Sequence, residues 1–218
     1  MASVTAITFI RKDSQRLPGK SIKTLGKTSL CNYSLETMSK VPSLNDVIVY
    51  SSDKEINDHI DPSLGVRFVQ RPEKFNKNSA TFSIIMDKAI GLIDTEYVLY
   101  FCVTSPFIKV ETIADMIDKV QNCNYDSAIA VKKIKNFCWF DSSPLNYDPH
   151  NVPFTQDLQP VFEETSGLYL FKKDLYLKTK RRCGFNPYLK VVNDVEGHDI
   201  DYEEDFNLAK FYLENDLI

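Results

Sequence analysis

Short apolar runs alternate with amphipathic segments along most of this chain, and this alternation limits the folds open to it. Each run is rich in β-branched and aromatic residues and has the length of a buried strand. The runs are Val4–Ile10, Asp46–Ser51, Val66–Gln70, Glu96–Val103 and Asp126–Val131. Apolar residues at helical spacing fill the intervals Ser29–Lys40, Thr81–Leu92 and Val110–Gln121. Strands joined by crossover helices form a parallel sheet with helices on both faces. The pattern therefore predicts a three-layer, Rossmann-like α/β fold with a mostly parallel sheet.

The sequence also predicts where some elements lie. Glu96–Val103 is the most hydrophobic run, and a strand buried on both faces belongs in the middle of a parallel sheet. Further along, Ser166–Phe171 resumes the sheet and Lys190–Asn193 has the character of an edge strand. Tyr202–Glu214 is predicted to be a helix with acidic residues in its first turn. With 218 residues, we expect one domain that spans 1–218.

The segment Lys132–Glu164 interrupts the alternation. It contains four prolines, the single tryptophan Trp139 and no clear period. A stretch of this length without periodicity is either disordered or functional, and its aromatic content argues against disorder. We interpret it as an inserted excursion that covers a site as a lid, packs on a second subunit as a dimer arm, or does both.

Composition argues against several classes of protein. The net charge of −4 argues against general binding to nucleic acid or to a membrane surface. The five cysteines are scattered and never spaced C-x-x-C, which favours free thiols over disulfides or a zinc site. No apolar run reaches membrane-spanning length, and the first residues do not have the pattern of a signal peptide. We therefore expect a cytoplasmic protein.

A basic loop follows the first predicted strand. Arg11–Lys27 holds six of the 26 Lys and Arg residues and one acid, Asp13. Ligands of open parallel sheets collect at the carboxyl ends of the strands, and a cationic loop at such an end suits a phosphate-bearing ligand. The loop is not a Walker A motif, since the required glycine is missing upstream of Gly19-Lys20-Ser21. The alternative interpretation is a solvated basic turn.

Two carboxylates, Asp199 and Asp201, lie just ahead of the last predicted helix. If this turn is extended, Ile200 between them points into the core and both acids point the other way. Two carboxylates together with phosphate oxygens are a usual way to bind Mg²⁺. The alternative is that one of the acids only caps the helix.

Other polar residues follow predicted strands and should converge on the same crevice. Arg71 and the pair Thr104–Ser105 lie at such positions. Cys102, on the predicted central strand, is interpreted as a small buried residue rather than a nucleophile. No side chain stands out as a general base.

Five short motifs occur in one order over nearly the whole chain. They are Arg11-x-x-Ser14-x-x-Leu17-Pro18-x-Lys20, Ser51-Ser52-Asp53, Arg71-Pro72, Thr104-Ser105-Pro106 and Asp199-Ile200-Asp201 ahead of Glu203-Glu204-Asp205-Phe206. Each is weak alone, but the set resembles the acylneuraminate cytidylyltransferases, which include CMP-sialic acid synthetases and relatives acting on legionaminate, pseudaminate and KDO.

This resemblance implies transfer of CMP from CTP to the hydroxyl of an acidic sugar, with release of pyrophosphate, in surface polysaccharide biosynthesis. It implies a Mg²⁺ site at Asp199 and Asp201, a homodimer built through the excursion, and catalytic roles for Arg11, Lys20 and Asp201. The implied nucleotide-binding residues are Arg11, Ser14, Lys20, Ser21, Arg71, Ser79 and Thr81. The implied acceptor-binding residues are Cys102, Thr104, Ser105 and Gln156.

The chain departs from the family pattern mainly at the acceptor side. Cys102 replaces the usual glutamine, Thr155 replaces an arginine ahead of Gln156, and Ser21 replaces an asparagine. CTP as a substrate is therefore better supported than any particular acceptor. The alternatives are CMP transfer to another acid such as KDO or a phosphonate, a metal-dependent glycosyltransferase, and a non-catalytic nucleotide-binding module.

Overall fold

The computed structural model describes residues 3–76 and 80–218, and within these ranges seven strands form the main sheet. The strands, including two short hairpins, are β1 (Val4–Ile10), β2 (Thr24–Leu25), β3 (Thr28–Ser29), β4 (Leu44–Ser51), β5 (Arg67–Gln70), β6 (Tyr97–Phe101), β7 (Ser127–Ile134), β8 (Trp139–Phe140), β9 (Ser143–Pro144), β10 (Val161–Lys172) and β11 (Pro187–Val192). The helices are α1 (Leu30–Ser39), α2 (Glu55–Asp58), α3 (Phe82–Ala89), α4 (Val110–Asn122), α5 (Lys173–Thr179) and α6 (Glu203–Glu214).

The main sheet is mostly parallel. Its order is β11-β7-β10-β6-β1-β4-β5, and β10 alone runs antiparallel to both of its neighbours, β6 and β7. Strand β6 occupies the fourth of the seven positions, and all five of its residues are buried. The predicted central position of this strand is confirmed, because only a strand covered on both faces can be apolar throughout.

Helices cover both faces of the sheet, as the three-layer prediction requires. On one face, alternate strand residues such as Ala6 and Leu99 pack with side chains of α1 and α4. On the other face, the intervening residues such as Ile7 and Val98 pack with α3 and α5. Side chains alternate between the faces of a strand, so each central strand contributes to both cores. The predicted α/β fold class is confirmed.

A third, smaller core joins two segments that are far apart in the sequence. Leu17 from the basic loop and Ile200 from the acidic pair are both buried in it, together with Phe206 of α6. Ile200 is fully buried, as predicted from the spacing of the two acids. The core therefore places the basic loop against the acidic pair.

The excursion is shorter than predicted. Strand β7 continues to Ile134 and β10 begins at Val161, so that Glu163 pairs with Lys132 inside the predicted excursion. These ends escaped prediction because their side chains are mostly exposed and show no apolar alternation. The excursion is defined below as residues 135–160.

Helix α5 was not predicted. Its seven residues bury only Tyr176, and one apolar contact cannot establish a helical period. Two further findings concern the cysteines and the possibility of a membrane-spanning helix. All five cysteines are free, which confirms the prediction of free thiols. Across the described ranges, no helix has both the length and the apolar character needed to span a membrane.

Candidate active site

A cavity of about 580 Å³ opens where β1 and β6 end. It brings together most of the predicted site residues, from segments as far apart as the basic loop and the acidic pair. The predicted residues that line it are Arg11, Ser14, Lys20, Ser21, Cys102, Thr104, Asp199 and Asp201. Phe9, Arg16, Tyr100 and Ser166 line it as well and were not predicted. The convergence at the carboxyl edge follows from the parallel sheet.

Hydrogen bonds to the loop backbone hold the basic loop in place. The Lys12 amide donates to Asp53 Oδ2 at 2.9 Å, which ties the loop to the end of β4. Ser21 Oγ donates to the Arg11 carbonyl at 3.4 Å and closes the loop on itself. Gly19 has a φ of +67°, a left-handed conformation that glycine adopts without steric cost. These constraints leave the Arg11 side chain exposed at the mouth of the cavity.

Lys20 connects the loop to the acidic pair. Its Nζ donates to the Ile200 carbonyl at 2.7 Å and to Asp201 Oδ1 at 2.9 Å. Arg16 NH1 approaches the other carboxylate oxygen of Asp201 at 2.6 Å. Lys20 is only 8% exposed, so this ammonium group is stabilised by its partners rather than by water. The sequence placed Arg16 in the basic loop, but its spacing did not distinguish it from the other loop cations.

Asp199 lies deeper than Asp201. Its carboxylate accepts hydrogen bonds from the hydroxyls of Thr104 and Ser105, the latter at 3.4 Å. Burial and the nearby charge of Asp201 raise the pKa of Asp199, although Thr104, Lys20 and Ser105 act in the opposite direction. Asp199 is thus a carboxylate whose charge is only partly compensated. Such a group gains from a bound cation.

The start of α6 orients the acidic pair. The Asp205 carboxylate accepts hydrogen bonds from the amides of Asp201 and Tyr202, at 2.9 and 2.8 Å. Burial acts to raise the pKa of Asp205, but these two amides hold it below its ordinary value. Asp205 therefore completes a capping box with Tyr202 at the start of the helix, so the carboxylate of Asp201 is not needed as a cap and lies at the cavity beside Lys20 and Arg16.

Aromatic side chains also contribute to the cavity lining. The ring centroids of Phe9 and Tyr100 are 5.1 Å apart, and Phe82 lies 4.8 Å from Tyr100. Beside them, burial raises the pKa of the Cys102 thiol to about 11. The thiol is therefore protonated at neutral pH. This agrees with the interpretation of Cys102 as a non-nucleophilic residue.

Several predicted site residues lie away from the cavity lining that the described residues define. Arg71 is 1% exposed, and its guanidinium donates to the Tyr50 carbonyl and to Asn76 Oδ1, both at 3.2 Å. Its Nε is buried and lacks a partner among the described residues. Burial and the charge of nearby Arg11 lower the pKa of Arg71. The Arg71 side chain is thus buried behind the basic loop and does not form part of the exposed surface of that loop.

The remaining predicted residues are dispersed. Ser105 is buried beneath the cavity, where it contacts Asp199. Thr81 is exposed and immediately precedes α3, whose first residue, Phe82, packs on Tyr100. Gln156 is exposed on the excursion, where its carbonyl accepts from Lys135 Nζ at 2.5 Å. Ser79 lies outside the described residues.

The acidic pair suits a hard cation whose remaining ligands come from a bound substrate. Among the described residues, no three His, Cys, Asp or Glu side chains are grouped so as to hold a metal ion. Asp199 and Asp201 would thus supply two oxygen ligands. Mg²⁺ is commonly bound by one or two carboxylates together with substrate phosphates and water.

A family model described as cytidylyltransferase matches residues 5–217. The chain belongs to this family. A curated relative, the N-acylneuraminate cytidylyltransferase of Oncorhynchus mykiss, is 22% identical over 179 residues. The match covers 78% of the chain but only 41% of that relative, so the chain corresponds to less than half of the relative's length.

Two solved structures share the fold over nearly their whole length. A CMP:2-keto-3-deoxy-manno-octonic acid synthetase complexed with CTP has a TM-score of 0.75 at 11% identity, covering 99% of this chain and all of that one. The 4-diphosphocytidyl-2C-methyl-D-erythritol synthase of Anaerococcus prevotii has a TM-score of 0.70 at 16% identity, covering 98% and 96%. At these identities the likeness shows the fold.

Proposed function

We propose that this chain transfers CMP from CTP to the hydroxyl of an acidic sugar and releases pyrophosphate. One observation carries the proposal: a single cavity joins the cations Arg11 and Lys20 to the carboxylates Asp199 and Asp201. Membership of the cytidylyltransferase family supports CTP as the donor. The curated relative and the structural neighbour named above support an acidic sugar as the acceptor.

The chemistry is a displacement at the α-phosphorus of CTP. An acceptor oxygen forms a bond to this phosphorus, the bond to the β-phosphate oxygen breaks, and the acceptor hydroxyl loses its proton. Negative charge builds on the leaving pyrophosphate and on the oxygens around the phosphorus. Arg16 and Lys20 are held beside the cavity by Asp201 and Arg11 lines it, so these loop cations would stabilise this charge with little reorganisation.

Asp199 and Asp201 would hold Mg²⁺, which supplies a positive charge for the phosphates and acidifies a bound hydroxyl. The partly compensated charge of Asp199 favours such a cation. Asp201 has a second task, since it fixes the positions of Lys20 and Arg16. We assign the hydroxyls of Ser14 and Ser21 to phosphate binding, and we retain Arg71, Ser79 and Thr81 as proposed nucleotide contacts.

The acceptor is proposed to lie over the end of β6. Cys102 and Thr104 line the cavity there, and Ser105 supports Asp199 from below. Gln156 reaches this position only if the excursion of this chain or of a partner folds over the cavity. A nonulosonic acid and KDO are both compatible with this arrangement. A glycosyltransferase would leave the basic loop without a role, and a non-catalytic module would not require both acids and both cations.

We also propose that the chain forms a homodimer through the excursion. Phe140 and Phe154 are 75% and 76% exposed, and Trp139, next to Phe140 in the chain, is 59% exposed. Several large apolar side chains exposed on one segment are typical of an interaction site. Aromatic residues are enriched in the cores of protein interfaces.

The function is tested by measuring pyrophosphate release with each of the four nucleoside triphosphates. The acceptor panel contains N-acetylneuraminic acid, KDO and a phosphonate, each with and without Mg²⁺. We expect release with CTP only, dependent on both the acid and the metal ion. A preference for UTP, or pyrophosphate release that does not depend on the acidic acceptor, would refute the proposal.

A further inference from the structure

A cation outside the basic loop, Arg182, stacks on aromatic rings that pack against the cavity lining. Arg182 belongs to the turn between α5 and β11, and its guanidinium carbon lies 4.0 Å above the ring of Tyr169. It also lies 5.5 Å from the ring of Phe82. Stacking on two rings fixes the plane of a guanidinium while leaving its edge available for hydrogen bonds. The side chain is 35% exposed, so a ligand can reach it.

Arg182 is close to the cavity wall. The ring of Tyr169 lies 6.3 Å from that of Tyr100, which lines the cavity, and Phe82 packs on the same ring. Burial raises the pKa of the Cys102 thiol, whereas the charges of Arg182 and Lys20 both act to lower it. The thiol in the cavity wall is thus within electrostatic reach of both cations. One cation comes from the basic loop and the other from the turn between α5 and β11.

The present partner of Arg182 is weakly bound. Its NH2 is 3.5 Å from Glu164 Oε2, at the outer limit of a hydrogen bond. The same carboxylate oxygen accepts from the Tyr169 hydroxyl at 2.7 Å, a much closer contact. A guanidinium has five N–H donors, and a half-exposed ion pair contributes little. Arg182 can therefore accept an incoming carboxylate without losing a strong partner.

We propose that Arg182 binds the carboxylate of the acceptor and so determines the preference for acids. The inference rests on the proposed function and adds a specificity residue to the same site. The basic loop already serves the triphosphate, and Lys20 and Arg16 are paired with Asp201. Arg182 stacks beside the aromatic part of the cavity lining and can bind an acceptor carboxylate through the bidentate geometry that carboxylates favour.

The experiment compares Arg182→Met with Arg182→Lys and with a matched control, Arg181→Met. Arg181 lies in the same turn but stacks on the exposed ring of Phe185, at 4.8 Å. Pyrophosphate release is measured with CTP and with N-acetylneuraminic acid, KDO and the methyl ester of each, which removes the carboxylate charge. The KM for acceptor and the KM for CTP are determined separately, and thermal unfolding checks that each variant is folded.

We expect Arg182→Met to raise the acceptor KM about 10-fold to 100-fold, the usual effect of losing a charge-assisted hydrogen bond. The KM for CTP should stay within about twofold of wild type. Discrimination between acid and ester should disappear in Arg182→Met and be partly kept in Arg182→Lys, while Arg181→Met behaves as wild type.

Three outcomes would overturn the inference. An unchanged acceptor KM in Arg182→Met, with wild-type turnover intact, would leave the proposed function standing and remove only the role of Arg182. A rise in the KM for CTP alone would assign the cation to the nucleotide. If wild-type protein releases no pyrophosphate with any acid, the proposed function fails, and the inference fails with it.

Discussion

The basic loop and the excursion are both irregular segments that follow strands, yet they are held very differently. The loop is bound to distant parts of the chain: Lys12 contacts Asp53, and Lys20 contacts Ile200 and Asp201. The excursion is bound mainly to itself, as when Asn146 donates to the carbonyls of Asn136 and Gln159. Contacts within one chain hold the loop in place, whereas the excursion still exposes large aromatic side chains. The basic loop is therefore preorganised, whereas the exposed aromatic side chains of the excursion are the surface that the proposed homodimer would cover.

The largest effect should come from the residue that binds both the loop and the proposed metal ion. Asp201→Asn removes the charge that pairs with Lys20 and Arg16. We expect kcat to fall about 10³-fold, as for loss of a preorganised electrostatic contact, while CTP binding stays detectable by calorimetry because Arg11 and Ser14 remain.

Glu203→Gln is the matched control for Asp201→Asn. It makes the same change of charge two residues away, at an exposed carboxylate that pairs with Lys23. Exposed ion pairs contribute about 0–1 kcal/mol, so turnover should be unchanged. Wild-type rates in Asp201→Asn would rule out its proposed role at the metal site.

Removal of the loop cation should affect both activity and stability. Lys20→Ala is expected to lower kcat about 100-fold, because a donor to the phosphates is lost. It should also reduce the free energy of unfolding by about 1–3 kcal/mol, since the Ile200 carbonyl and Asp201 lose a buried partner. From sequence, a loop cation is expected to contribute little to stability. The 8% exposure of Lys20 changes that expectation.

Urea unfolding and steady-state kinetics measure the two effects of Lys20→Ala. The matched control is Lys23→Ala in the same loop, where the ammonium group pairs at the surface with Glu203. Its unfolding free energy should change by less than about 1 kcal/mol. Equal destabilisation by the two substitutions would show that the loop is less firmly held than its contacts indicate.

A substitution in the excursion should weaken self-association but leave the thermal stability of the single chain almost unchanged. Phe140→Asp places a charge on a ring that is 75% exposed, so thermal unfolding of the single chain should hardly change. If the ring is central to a dimer interface, self-association should weaken by about 2 kcal/mol or more, roughly 30-fold in Kd. Analytical ultracentrifugation measures this. Phe211→Asp, at an exposed phenylalanine of α6, should leave self-association unchanged.

The smallest effect concerns Cys102. Because burial raises the pKa of this thiol to about 11, the reactive thiolate is scarce at neutral pH. Alkylation by iodoacetamide, followed by mass spectrometry, should leave Cys102 unmodified at pH 7 while exposed Cys123 reacts. The alkylation rate at Cys102 should rise about tenfold per pH unit above pH 7 and level off only above about pH 11. Rapid modification at pH 7 would contradict the assignment of this residue as inert.

Sequence patterns predicted the fold where one physical rule dominated. Strand β6 is apolar throughout because it is covered on both faces, and β1 has the predicted bounds Val4–Ile10. The rule found only the second half of β10, predicted as Ser166–Phe171; it missed the first half, which is exposed near Glu163 and is followed by Ser166 in a left-handed conformation. The antiparallel direction of this strand depends on pairing with β6 and β7, which local patterns do not record.

The site was predictable to a similar degree. Lys20 and Asp201 were identified as parts of one site, and the structure places them 2.9 Å apart. Arg16 and Tyr100 were missed, because a cation among six and a tyrosine on a core strand carry no distinguishing spacing. Arg182 was missed for the same reason. Its position depends on stacking against Tyr169, a contact that only the folded chain reveals.

The small core around Leu17 and Ile200 also sets the order of events during synthesis. Leu17 leaves the ribosome long before Ile200 and Phe206, with which it packs. Until these later residues emerge, Leu17, Leu25 and Leu30 lack their apolar partners and remain accessible to chaperones. The basic loop therefore reaches its final position only after the segment around Ile200 and Phe206 has been translated. A nascent chain can form most of its sheet before the proposed active site is complete.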